Sequence, residues 1–130
     1  MTIHPLTLFL LPETLAICHF APGTPFPDWV QTNSFFSLTN TSEEISLVCL
    51  METIPSEVDA DRNWRCFKLQ GPIPFSLTGI LNSITLPLAQ ASLGIFAIST
   101  YDTDYVLVKQ EVLPQALSAL TDAGHTIHTR

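Results

Sequence analysis

Leu77-Thr78-Gly79-Ile80-Leu81-Asn82-Ser83-Ile84-Thr85-Leu86-Pro87-Leu88-Ala89-Gln90-Ala91-Ser92-Leu93-Gly94-Ile95-Phe96-Ala97-Ile98-Ser99-Thr100 changes its hydrophobic period partway along. Up to Ala91 the apolar side chains fall at Leu77, Ile80, Leu81, Ile84, Leu88 and Ala91, the spacing of one helix face. Ser76 or Thr78 is placed to cap that helix. Pro87 removes the N–H that would bond the carbonyl of Ser83, which predicts a kink. Gly94 marks the end. Ile95–Thr100 is then β-branched and apolar, which predicts a buried strand.

The segments on either side complete a pattern. Upstream, Trp64–Leu69 alternates imperfectly and reads as a strand, followed by the two-proline loop Gly71–Phe75. Downstream, Tyr101–Asp104 is a polar turn and Tyr105–Lys109 a Val-rich return strand. Residues 111–123 carry Leu113, Ala116, Leu117, Leu120 and Ala123 on one stripe, with Pro114 in the first turn and Gly124 at the C-cap. His125–Thr129 is a last strand. The order is β-α-β-β-α-β, an α+β, ferredoxin-like unit with helices on one face of an antiparallel sheet.

The first half reads differently. Leu6–Leu11 and Leu15–Phe20 are short strands split by Pro12-Glu13. A proline-rich loop follows, with one helical turn at Pro27–Val30. Phe35–Thr39 and Ile45–Met51 form a hairpin around the polar turn Asn40–Glu44. Residues 52–63 are an acidic connector and the boundary candidate. The expected division is therefore 1–62, a reduced and helix-poor version of the same plan, and 63–130, the full unit.

Charge is distributed as unevenly as structure. The 130 residues carry 12 Asp or Glu against 5 Lys or Arg, a formal charge of -7. All eight acids before Arg62 lack a basic counterpart upstream of it, and no charged residue lies between Lys68 and Asp102. So few basic residues exclude a nucleic-acid surface and argue against an anionic membrane. The uncharged stretch is too rich in Pro, Gly and polar residues to span a bilayer. The N-terminus lacks the basic start of a secretory signal. Cys18, Cys49 and Cys66 sit in apolar contexts with no metal spacing, as buried thiols of a reducing cytoplasm do.

Catalytic patterns are missing: no phosphate loop, nucleophile elbow or His-Glu-x-x-His helix occurs. His4, His19, His125 and His128 are scattered. Asp102 and Asp104 could offer oxygens to a cation, or simply close a turn. No metal, cofactor or catalytic residue is expected. A loop entering a helix N-terminus at Ser76, Thr78 and Gly79 suits a carboxylate. The turn with Thr100, Tyr101 and Asp104 sits at the end of the adjacent strand. Thr100 would supply a hydroxyl, Tyr101 a ring wall and Asp104 a counter-charge, so the pair of elements fits a zwitterion.

Gly71-Pro72, Phe75-Ser76-Leu77-Thr78-Gly79-Ile80-Leu81 and Ile95-Phe96-Ala97-Ile98-Ser99-Thr100-Tyr101-Asp102-Thr103-Asp104-Tyr105 resemble the signature of small bacterial tandem ACT-domain proteins. That group is related to the eukaryotic cytosolic arginine sensor. The resemblance extends to Trp64–Lys68 and Ala123-Gly124-His125 and is looser before them. It implies the β-α-β-β-α-β fold used twice, amino-acid ligands at domain interfaces and no catalysis. The sensor's Ser-Thr-aromatic turn, with Asp three residues on, matches Ser99-Thr100-Tyr101 and Asp104 here. The sensor has four repeats and this chain at most two, so a composite pocket implies a homodimer. The expected function is a non-catalytic amino-acid-binding regulatory or sensor module with ligand held at a domain or subunit interface. A structural or protein-protein interaction domain without a small-molecule ligand is the alternative. Ligand identity and the regulated partner are not encoded in any motif.

Overall fold

The computed structural model describes residues 4–129; residues 1–3 and 130 lie outside it. In chain order the elements are β1 (Thr7–Leu10), β2 (Leu15–Phe20), β3 (Phe36–Asn40), β4 (Ile45–Leu50), β5 (Ala60–Leu69), α1 (Ile80–Gln90), β6 (Phe96–Ser99), β7 (Asp104–Lys109), α2 (Leu113–Asp122) and β8 (Thr126–Thr129). Short 3-10 turns occupy Met51–Thr53 and Gln110–Val112.

Two compact units result. One takes in residues up to Pro12 and from Arg65 onward; the other is Glu13–Trp64. These are not the halves 1–62 and 63–130. In the first, helical unit the strand order is β8-β1-β5-β7-β6. The ferredoxin-like succession from β5 to β8 is present, with β1 slotted between β8 and β5. Leu8 lies opposite Ile127 in a parallel pair and opposite Leu69 in an antiparallel one. Burial explains the placement: Leu8 and Leu10 alternate inward from β1, at 0% and 6% exposure, and join the core under the helices. That core brings Phe67, Leu69, Val106 and Val108 from the strands against Ile80, Ile84, Leu88, Ala116 and Leu120 from α1 and α2. Each of these side chains larger than alanine contributes about 1.5–3 kcal/mol when removed from water.

The helix ends depart from expectation in instructive ways. Helix α1 starts at Ile80, three residues later than Leu77, and Gly79 is its N-cap at φ 78 with no side-chain cap. Ser76 and Thr78 are both exposed and cap nothing there. A left-handed backbone at the entry accounts for the glycine. The helix also stops before Gly94. Ser92 takes the left-handed conformation at φ 62, and the N–H of Leu93 reaches the carbonyl of Leu88 at 3.0 Å. Helix α2 closes as expected: Gly124 sits at φ 99 and the N–H of His125 bonds the carbonyl of Leu120 at 3.1 Å.

Pro87 does lie inside α1. The Ser83 carbonyl that it leaves without a helical donor faces His125 Nε2 at 2.7 Å. The other ring nitrogen, Nδ1, accepts the N–H of Leu6 at 3.1 Å, so the ring is the neutral Nε2–H tautomer. His125 is 4% exposed. Ser83 Oγ in turn accepts the N–H of His4 and donates to the carbonyl of Gly79. A buried polar network thus replaces one helical bond and fastens the chain ahead of β1. Strand β6 is a further correction: among the described residues it pairs with β7 alone, and it alternates half-buried with exposed side chains, rather than being a buried strand.

The Glu13–Trp64 unit orders its strands β3-β4-β2-β5 and contains no α-helix among the described residues. Its core gathers Cys18, Val30, Leu47 and Cys49, with Phe20 and Trp29 against it. The neighbouring Cys18 thiol and burial together push the pKa of Cys49 up. The expected helical turn at Pro27–Val30 is an irregular turn. The acidic connector is shorter than expected, because β5 already begins at Ala60. Leu15 pairs with Trp64 but Ile17 pairs with Asp61, so β5 carries one extra residue. Asn63, at φ 67, absorbs it as a bulge.

Candidate functional site

The loop before α1 and the turn after β6 meet in the helical unit. Three contacts hold them together. The N–H of Ile73 donates to the carbonyl of Asp102 at 2.7 Å. Thr103, buried at 6% exposure, donates its hydroxyl to the carbonyl of Leu69 at 2.7 Å. Gly71, whose peptide to Pro72 is cis, lies so close to the turn that an added Cβ would stand 2.9 Å from the carbonyl oxygen of Asp102. That approach is why a glycine precedes the prolines.

Between these segments is a cavity of about 240 Å³. Gly79, Ile80 and Leu81 bring the N-terminus of α1 to it, and Ser99, Thr100, Thr103 and Asp104 bring the turn. Ile73 and Leu77 supply apolar wall. The first-turn N–H groups of a helix carry partial positive charge, and Asp104 adds a carboxylate on the facing side. Ser99 Oγ donates to Asp104 Oδ1 at 2.5 Å and fixes its orientation. Thr100 closes the turn twice over: its hydroxyl donates to the carbonyl of Thr103 at 3.0 Å and accepts the N–H of Thr103 at 3.3 Å. The turn is therefore closed by Thr100.

Of the six residues singled out from the sequence, Gly79, Thr100 and Asp104 line this cavity. Ser76 and Thr78 are exposed outside its lining. Tyr101 also points away, 83% exposed, with its ring edge-on to Phe75 at 5.4 Å. Phe75 and Leu77 line the cavity and are themselves 75% and 50% exposed. An apolar rim of this kind is uncommon on a free surface. Thr103 was hidden from sequence reasoning, because its bond to Leu69 spans 34 residues. Ser99 was legible only as part of the Ser-Thr-aromatic run.

The histidines do other work. His128 stacks on Phe9 at 5.6 Å, and His19 lies 4.0 Å from Glu44 and 3.7 Å from Asp59 on the surface. No group of three metal-binding side chains occurs among the described residues. Nor is any helix among them long and apolar enough to cross a membrane.

Comparison with known proteins adds a lineage to this geometry. The ACT-domain family model matches residues 59–122, and a second family model, described as an N-terminal domain, matches residues 13–57. The cytosolic arginine sensor for mTORC1 subunit 1 of Bos taurus is 31% identical over 97 residues, which are 66% of this chain and 30% of that protein. The human protein CASTOR3P is 32% identical over 93 residues, 62% of this chain and 57% of its own. The chain thus spans less than two thirds of these curated relatives. A crystal structure of a protein from Agobacterium tumefaciens superposes with a TM-score of 0.91 at 36% identity, covering 98% of this chain and 95% of that one. The regulatory subunit of aspartate kinase from Thermus flavus gives a TM-score of 0.60 at 11% identity, covering 95% and 99%. At that identity the likeness is one of fold.

Proposed function

Because this chain belongs to the ACT-domain family, we propose that it is a non-catalytic regulatory module that binds a free amino acid in the cavity between the start of α1 and the Ser99–Asp104 turn. The observation that carries the reading is the pairing of opposite polarities across one small cavity. Helix N–H groups at Gly79–Leu81 suit the α-carboxylate, and Asp104 suits an ammonium or guanidinium. At about 240 Å³ the space falls below the roughly 300–1,000 Å³ of sites for drug-sized ligands, which favours a metabolite of amino-acid size. The similarity to a cytosolic arginine sensor supports amino-acid sensing in the same direction.

Thr100 shapes the turn, and Thr103 anchors it. Phe75, Leu77 and Tyr101 form an exposed apolar rim that a second subunit would cover, making the working form a homodimer in the cytoplasm. Ser76 and Thr78 would contribute from that rim. Ligand would act by favouring one subunit packing over another. A cavity beside the turn favours this reading over a purely structural domain.

The test is calorimetry and thermal melting of the purified protein against all proteinogenic amino acids, with Asp104→Asn in parallel. A basic amino acid should raise the melting temperature, and Asp104→Asn should abolish that rise. No heat and an unchanged melting temperature at millimolar concentrations of every amino acid would sink the proposal.

A further inference from the structure

The Glu13–Trp64 unit carries a second surface that amino-acid binding leaves unused. Strand β3 pairs with β4 and with no other strand among the described residues, so its far side presents backbone N–H and C=O groups. Its residues are Phe36, Ser37, Leu38, Thr39 and Asn40. Edge strands are ordinarily protected by charge, proline or a bulge. Here none of the five residues is charged or proline, and the β3–β4 register runs without a shift. Phe36 and Leu38 remain 37% and 38% exposed.

Beside this edge is a cavity of about 330 Å³. Phe20, Pro25, Phe26, Leu38, Asn40 and Ile45 are among its walls, and no charged residue among the described ones lines it. Phe26 is 46% exposed and meets Phe36 edge-on at 5.7 Å. The walls are preformed. Gly23 turns the loop at φ 81, and Thr24 donates its hydroxyl to the carbonyl of Ala21 at 2.7 Å. An open backbone edge next to an apolar pocket is the arrangement that accepts an added strand: backbone bonds give affinity, and alternate side chains enter the pocket.

Charge identifies the kind of strand. Residues 13–64 hold eight carboxylates and a single basic residue, Arg62. Exposed Glu43 and Glu44 stand just past the end of β3, and exposed Asp28 stands in the loop beyond Pro27. Their turn is fixed, since Thr41 Oγ1 accepts the N–H groups of both Glu43 and Glu44 at 3.1 Å. A second copy of this chain would bring the same negative surface to the interface. We propose that the β3 edge and its pocket bind an extended segment of another protein, with apolar side chains at alternate positions and Lys or Arg at its ends. This inference is independent of the amino-acid site, which lies in the other unit.

The test uses a labelled peptide alternating valine and threonine with lysines at both ends, and the same peptide with glutamates there. Fluorescence anisotropy at low salt should show the lysine peptide binding at least about tenfold more tightly than the glutamate peptide, and salt should narrow the gap. Leu38→Lys, which blunts the edge, should abolish binding. Glu43→Lys with Glu44→Lys should weaken the lysine peptide and leave the fold intact by circular dichroism. Backbone NMR shifts should concentrate in residues 36–40 and 21–27. Three results would each overturn the proposal: no binding at millimolar peptide, equal binding of both peptides, or shifts confined elsewhere. A fourth would do the same, namely a concentration-dependent dimer that Leu38→Lys dissolves, because the occupant would then be a second copy.

Discussion

The two units solve the same problem with unequal means. The helical unit buries a sheet under α1 and α2, and its core contains Phe67, Leu69, Ile84 and Leu120 at 0% exposure. The Glu13–Trp64 unit has no α-helix among its described residues, yet Leu15, Cys18, Leu47, Val48 and Cys49 of its sheet are at most 2% exposed. Irregular segments do the covering there, since Trp29, Val30, Ile54 and Val58 pack on Cys18, Leu47 and Cys49, while the edge strand β3 stays largely exposed. The comparison teaches where each kind of function can reside. A rigid layered core can hold a small preformed cavity at its edge. A thin unit with an open strand is better suited to docking.

The largest effect that would test this contrast is in the cores. Phe67→Ala should destabilise the protein by about 3–5 kcal/mol, whereas Leu38→Ala on β3 should change it by less than about 0.5 kcal/mol. Urea unfolding followed by circular dichroism measures both, and equal losses would break the comparison. Next is the network that compensates for Pro87. His125→Ala leaves the Ser83 carbonyl and the Leu6 N–H without their partner and should cost about 1–3 kcal/mol. Hydrogen exchange at Leu6 should accelerate in the same variant; unchanged exchange would remove His125 from that role.

A smaller effect separates two glycines of the helical unit. Gly79→Ala forces a side chain into a left-handed conformation and should cost about 1 kcal/mol. Gly94 has open space around it, and Gly94→Ala should be neutral or gain about 0.4–1 kcal/mol. Melting temperatures of the pair decide this, and a loss at Gly94 would contradict the placement of the helix end at Ser92. The smallest effect is alkaline. Burial, with Cys66 and Asp102 nearby, raises the pKa of Tyr105. The unfolded chain therefore loses this proton first, and stability falls as pH rises above about 10. Tyr105→Phe should flatten that part of the profile; an unchanged slope would assign it to other groups.

Much of this was legible in the chain because its signals are local. The 3.6-residue stripes at Ile80–Leu88 and Leu113–Leu120 name both helices, and Gly124 ends α2 where a left-handed residue is needed. The stripe alone starts α1 too early, because Leu77 fits it although it precedes the N-cap. Its end lies earlier than Gly94 suggests, because Ser92, a rare choice for a left-handed position, takes that role. For the candidate site, Gly79, Thr100 and Asp104 could be picked out because helix entry and turn chemistry are short-range. The outward turn of Tyr101 could not, since its packing on Phe75 depends on a loop 26 residues away.

Period, turn chemistry and charge thus fixed the α+β order, the helices and the acidic first half. Only the tertiary structure decided that β1 enters the helical unit between β8 and β5, that His125 serves the carbonyl orphaned by Pro87, and that Thr103 anchors the turn. The reason is physical. An alternating run shows that a strand has an inner face, but not which core that face will meet. Partners that lie 34 or 42 residues apart are chosen when the sheet closes, by burial and by the need to satisfy every hidden polar group.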